Sequence, residues 1–90
     1  MTDSSFIKLP HRGLIQIEGD DRYKFLQGLI SNDITLLERQ QAVYACLLTP
    51  QGKFLHDFFL MNGNGVLLLD CEGGARAQAL YRRLTLARLR

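Results

Sequence analysis

Ninety residues make one small domain, and a composition of 47% hydrophobic and 22% charged residues excludes a chain disordered throughout. A net charge of +2 is too small to argue for nucleic acid or an anionic membrane as partner. No apolar run approaches the roughly 20 residues of a membrane-spanning helix.

Residues 1–10 are polar, end in Pro10, and read as a flexible leader or an extended entry, without the basic and apolar regions of a signal peptide. The domain proper is expected over 11–90. A short strand follows at 14–18, and Gly19 stops it. Asp20 is a good helix cap, and Tyr23, Phe25, Leu26, Leu29 and Ile30 recur at helical spacing over about 21–30. Ser31-Asn32-Asp33 punctuates that helix, and Asp33 is placed to start a second short turn through Ile34, Leu36 and Leu37.

Three strands are predicted next, at 42–49, 54–61 and 66–71. Pro50-Gln51-Gly52-Lys53 makes the first connecting turn, and Asn62-Gly63-Asn64-Gly65 the second. From about Gly74, Ala77, Leu80, Tyr81 and Leu84 mark a closing helix. The fold class is therefore α+β, an antiparallel meander with two helices covering one face. After Glu72 the charged residues are all arginines: Arg76, Arg82, Arg83, Arg88 and Arg90. They read as a solvated helix face suited to the negative end of the helix dipole, and not as a surface that binds nucleic acid directly. Cys46 and Cys71 lie in apolar stretches without the density of a disulfide scaffold, so free thiols in a reducing cytoplasm are expected.

The strand at 54–61 is apolar on both faces. Phe54, Phe58 and Leu60 point one way with His56, while Leu55, Phe59 and Met61 point the other way with Asp57. Two helices cover one face, so the other must line a pocket or meet another domain or chain.

Three stretches in register carry a resemblance. They are Gly19-Asp-Asp-Arg-Tyr-Lys-Phe-Leu-Gln-Gly-Leu-Ile-Ser-Asn-Asp33, Ala45-Cys-Leu-Leu-Thr-Pro-Gln-Gly-Lys-Phe-Leu-His-Asp57, and the strand at 66–70 with the closing Leu84-Thr-Leu-Ala-Arg-Leu-Arg90. Together they resemble the N-terminal region of YgfZ-type folate-binding proteins. More distantly they resemble the glycine-cleavage T-protein, an aminomethyltransferase. The resemblance implies the N-terminal part of the aminomethyltransferase folate-binding fold and tetrahydrofolate, or a derivative, as ligand. It also implies a role in iron–sulfur cluster assembly or repair and, through it, in tRNA modification. A fragment of a true aminomethyltransferase is the enzymatic alternative, and a half-domain that self-associates without binding folate is the structural one. Family chains are several times longer, so a missing C-terminal portion, a second chain or a second copy is expected to complete the site. The family's downstream cysteine motif has no counterpart here. T-proteins carry two adjacent aspartates where this chain has His56-Asp57.

Asp57 is the leading site residue and the one catalytic candidate, since a partly desolvated mid-strand carboxylate can accept hydrogen bonds from a pterin or amine, or move a proton. Equally, it can pair with a neighbour such as Arg12. The resemblance puts Phe59 and Met61 on the wall of the same cavity, and Arg12 and Gln16 facing it. Asp70 falls where T-proteins carry a folate-contacting asparagine, and serves as well as a turn or cap residue before Glu72-Gly73-Gly74. No metal site is expected: His11, His56, Cys46 and Cys71 show no ligand spacing.

Overall fold

In the computed structural model, residues 5–9 and 13–88 are described. The chain runs through β1 (Ser5–Leu9), β2 (Leu14–Glu18), α1 (Arg22–Gln27), a 3-10 turn (Ile34–Glu38), β3 (Val43–Leu48), β4 (Phe54–Asn62), β5 (Leu67–Asp70) and α2 (Ala75–Arg88). All five strands form one antiparallel sheet in the order β1-β2-β5-β4-β3. The α+β class and the β3-β4-β5 meander agree with the sequence. The rest of the topology departs from a simple meander: β2 pairs with β5, so the β1-β2 hairpin closes onto the last strand. Residues 5–9, expected as leader or extended entry, are thus a paired edge strand. Residues 1–4 and 10 of that expectation lie outside the described residues.

Period-two patterning sorts the sheet into two faces. Ile15, Ile17, Val43, Ala45, Leu47, Phe58, Leu60, Leu67 and Leu69 point inward. Leu26 of α1, Ile34 and Leu37 of the 3-10 turn, and Leu80 and Leu84 of α2 join them in one cluster. Both helices and the turn therefore cover the same side. Across the sheet, Tyr44 and Phe59 remain about half exposed, at 48% and 49%.

Helix α1 is shorter than its apolar spacing suggests. Its N-cap is Asp21, with no side-chain cap bond, so Asp20 does not cap it. The chain leaves the helix at Gly28 because Ile30 is drawn onto β3, bridging Leu47. There Ser31 N–H donates to the Cys46 carbonyl at 3.0 Å, and Cys46 N–H donates to Ser31 Oγ at 3.0 Å. The Asn32 amide donates to the Tyr44 carbonyl at 2.9 Å. Asp33 starts the 3-10 turn as expected, its Oδ1 accepting from Thr35 N at 3.0 Å and Thr35 Oγ1 at 2.7 Å. These contacts favour the carboxylate and hold Asp33 below its ordinary pKa.

The β3-β4 hairpin turns where the sequence places it. Thr49 N–H donates to the Lys53 carbonyl at 2.8 Å, and Gly52 takes φ +88°, a left-handed value that glycine adopts without strain. On α2, Ala77, Leu80 and Leu84 are buried while Arg76, Arg82, Arg83 and Arg88 are exposed. Arg90 lies outside the described residues. Arg76 also ties the helix to the sheet, its Nη2 donating to the Leu55 carbonyl at 2.8 Å. Among the described residues no helix is long and apolar enough to cross a membrane.

A candidate ligand-binding face

The uncovered face of the sheet is set by register. Phe59 pairs with Tyr44 on one side and Asp70 on the other, and Asp70 in turn pairs with Leu14. Paired residues share a face, so Leu14, Asp70, Phe59 and Tyr44 form one row across four strands. A second row joins Gln16, Leu68 and Met61, and a third joins Asp57 with Cys46. Asp57, Phe59, Met61, Asp70 and Gln16 are thus brought to one side of the sheet. Arg12 lies outside the described residues. Gln16 is tied to its own strand, its Nε2 donating to Glu18 Oε2 at 2.7 Å.

An open cleft of about 250 Å³ lies on this face, lined by Tyr44, Asp57, Phe59, Asp70, Cys71 and Glu72. Among the described residues it collects three carboxylates and no basic side chain, beside the Tyr44 and Phe59 rings, with the inward-facing Phe58 also on its lining. The Tyr44 and Phe59 rings meet edge to face, 5.4 Å between centroids at 61°. Tyr44 Oη donates to Asp57 Oδ2 at 2.7 Å. That bond to a carboxylate pushes the Tyr44 phenol well above its ordinary pKa, helped by its contact with Cys46. Cys71 is also pushed up, chiefly by burial and then by Asp70, so it stands as a protonated thiol and a poor nucleophile. Both cysteines are free and partly buried.

The partial desolvation expected of Asp57 is corrected by the structure, where its side chain is exposed. Among the described residues both helices pack on the opposite face of the sheet, which leaves Asp57 open to solvent. Tyr44 and Glu72 were not legible as site residues. Alternation within 42–49 puts Tyr44 on the open face, but its contact with Asp57 depends on the hairpin register, which local patterning leaves open.

His56 faces the core, buried beneath the cleft. Burial lowers its pKa, and the positive charges of Arg76 and Arg83 lower it further, against a smaller opposing pull from Asp57. The unfolded chain takes up this proton first, so the folded state keeps its full stability above about pH 6.5 and loses it as pH falls toward the lowered folded value. Between pH 7.5 and 5 the urea midpoint of the wild type is expected to fall more steeply than that of His56→Leu. Parallel curves for the two proteins would assign the acid sensitivity to other groups.

The described residues thus form a one-sided α+β sheet with a carboxylate-and-aromatic cleft on its open face. No family model matches the chain. Among curated proteins it is 43% identical over 78 residues to the iron–sulfur cluster assembly factor IBA57 homolog, mitochondrial, of Mycosarcoma maydis, which covers 72% of this chain and 19% of the relative. The protein of that name in Neurospora crassa is 42% identical over 53 residues, covering 59% of this chain and 12% of the relative. An aminomethyltransferase of Staphylococcus epidermidis is 36% identical over 61 residues, covering 66% of this chain and 17% of the relative. The chain spans less than a fifth of the length of each.

The relationship that the sequence motifs imply is therefore present: the chain is similar to segments of YgfZ-type assembly factors and of aminomethyltransferases. The expected cytoplasmic location is corrected. The assembly-factor relatives are named as mitochondrial proteins.

Proposed function

We propose that this segment supplies one wall of a folate site in an iron–sulfur cluster assembly factor, with Asp57 at its centre. The observation that carries the reading is the convergence of Asp57, Phe59 and Asp70 on one cleft of the open sheet face. Asp57 and Asp70 offer acceptors to the donor-rich edge of a pterin, and the aromatic rings and Met61 offer it an apolar wall. At about 250 Å³ the cleft is smaller than the roughly 300–1,000 Å³ of a complete small-molecule pocket, so it holds part of such a ligand. The remainder of a longer protein, or a second chain, closes it.

A tetrahydrofolate, when bound, supplies one-carbon carrying capacity at its ring N5 and at the neighbouring N10 amine. This chain's residues bind and orient the ring, and exclude water only once the cover is in place. The named relatives support participation in cluster assembly, and the sequence resemblance alone suggests tRNA modification downstream of it. The enzymatic alternative, a segment of an aminomethyltransferase, is supported by the Staphylococcus relative. A carboxylate is retained at Asp57 in either case.

Titrating the chain with folinate tests the reading. Saturable binding is expected, weakened about 10- to 100-fold in Asp57→Ala, the usual loss for a hydrogen bond to a charged group. Equal affinity in the variant would move the ligand elsewhere. The exposed Tyr44 and Phe59 also favour a second reading, self-association through the bare face. Sedimentation gives a dimer that Phe59→Glu dissolves if that reading holds, and a monomer if it does not.

A further inference from the structure

We infer that Tyr44 is the positioning residue for Asp57, holding its carboxylate in one orientation at the floor of the cleft. The inference rests on the folate reading for its consequence, but its geometry stands apart. Tyr44 is directly opposite Phe59, and Cys46, two residues on, is opposite Asp57. Tyr44 and Asp57 are therefore diagonal neighbours on one face, a separation that a long side chain spans. The phenol spans it, donating to Asp57 Oδ2 at 2.7 Å, while its ring packs edge-on against Phe59. An exposed aspartate has two free torsions and would otherwise sample several rotamers. With Oδ2 engaged, Oδ1 is the oxygen that meets a ligand's donors. The same contact keeps the phenol protonated, so it remains a donor throughout the physiological range.

Tyr44→Phe keeps the ring packing and removes the hydroxyl alone. It is expected to leave the urea midpoint unchanged and to weaken folinate binding about three- to tenfold, the range of one ordinary hydrogen bond. In the Asp57→Asn background the same substitution should cost much less, because the carboxylate it positions is gone. A merely structural role would weaken binding equally in both backgrounds, and that result overturns the proposal. Carbon-13 titration of the tyrosine ring gives a reading that needs no ligand. The Tyr44 midpoint is expected to fall in Asp57→Asn, and an unchanged midpoint overturns the proposal. Should wild-type chain take up no folinate, the folate reading falls and the tyrosine titration alone decides whether the pair exists.

Discussion

Gly13→Ala is expected to abolish the folded state. A methyl group at Gly13 would collide with the Cys71 carbonyl oxygen and sit 2.7 Å from the carbonyl carbons of Cys71 and Glu72. All three atoms belong to backbone, so no side chain can rotate away. Gly13 stands at the mouth of the β2-β5 pairing, its carbonyl accepting from Cys71 N–H, one position before Leu14 meets Asp70. Making room means prying those strands apart where the β1-β2 hairpin closes the sheet. Overpacking costs about 1–3 kcal/mol where side chains can give way, and more where, as here, only backbone can move. A 90-residue domain with a one-sided core sits low in the 5–15 kcal/mol range of native stabilities, so little margin remains. Far-ultraviolet circular dichroism of the purified variant checks this. Gly28→Ala is the internal control: its nearest atom would be 3.7 Å away at an ordinary φ of −73°, and it should fold normally. A folded, cooperative Gly13→Ala protein would mean that β2 and β5 do not close as described.

Leu60→Ala is the second large effect. Leu60 of β4 is fully buried, between Val43 of β3 and Leu69 of β5. Truncation removes transfer energy and leaves a cavity among strands that hydrogen bonds hold in place, at a cost of about 2–5 kcal/mol. On the opposite face of the same strand, Phe59→Ala removes a larger side chain that is half exposed. It should cost less than Leu60→Ala, although phenylalanine is the bigger residue. Urea midpoints for the pair measure this asymmetry directly, and the reverse order would show that the bare face is buried in solution.

The strands of the meander and the two-faced character of β4 were legible because burial follows a period of two, and each residue of 54–61 declares its side by position. Phe54 is the exception: it shares parity with His56 and Phe58 yet is 56% exposed. The pairing slips by one residue between Leu47 and Leu48, leaving the strand end outside the core. The convergence of Asp57, Phe59, Met61, Asp70 and Gln16 on one face was also legible, from alternation and from motif resemblance together. What local patterning does not contain is which strand meets which. The pairing of β2 with β5, the conversion of residues 5–9 into an edge strand, and the Tyr44–Asp57 contact all depend on partners distant in the chain. Helix α1 shows the same limit, since Leu29 and Ile30 keep helical spacing while a bridge to β3 takes Ile30 away. The exposure of Asp57 could not be foreseen from its apolar neighbours, because burial depends on what lies above the sheet.

The short segment laid along β3 has a consequence for behaviour in solution. A strand with Val, Tyr, Ala, Cys and two Leu, uncharged from Val43 to Leu48, is the kind of sequence that templates intermolecular pairing when its outer backbone is bare. Ser31 and Asn32 occupy the Cys46 N–H and carbonyl and the Tyr44 carbonyl from outside, using a side chain where a further strand would use backbone. The Ser-Asn-Asp run thus acts as a gatekeeper against fibril-like growth at that edge. Asn32→Ala frees the Tyr44 carbonyl on that edge and is expected to speed aggregation, read by light scattering against the parent chain.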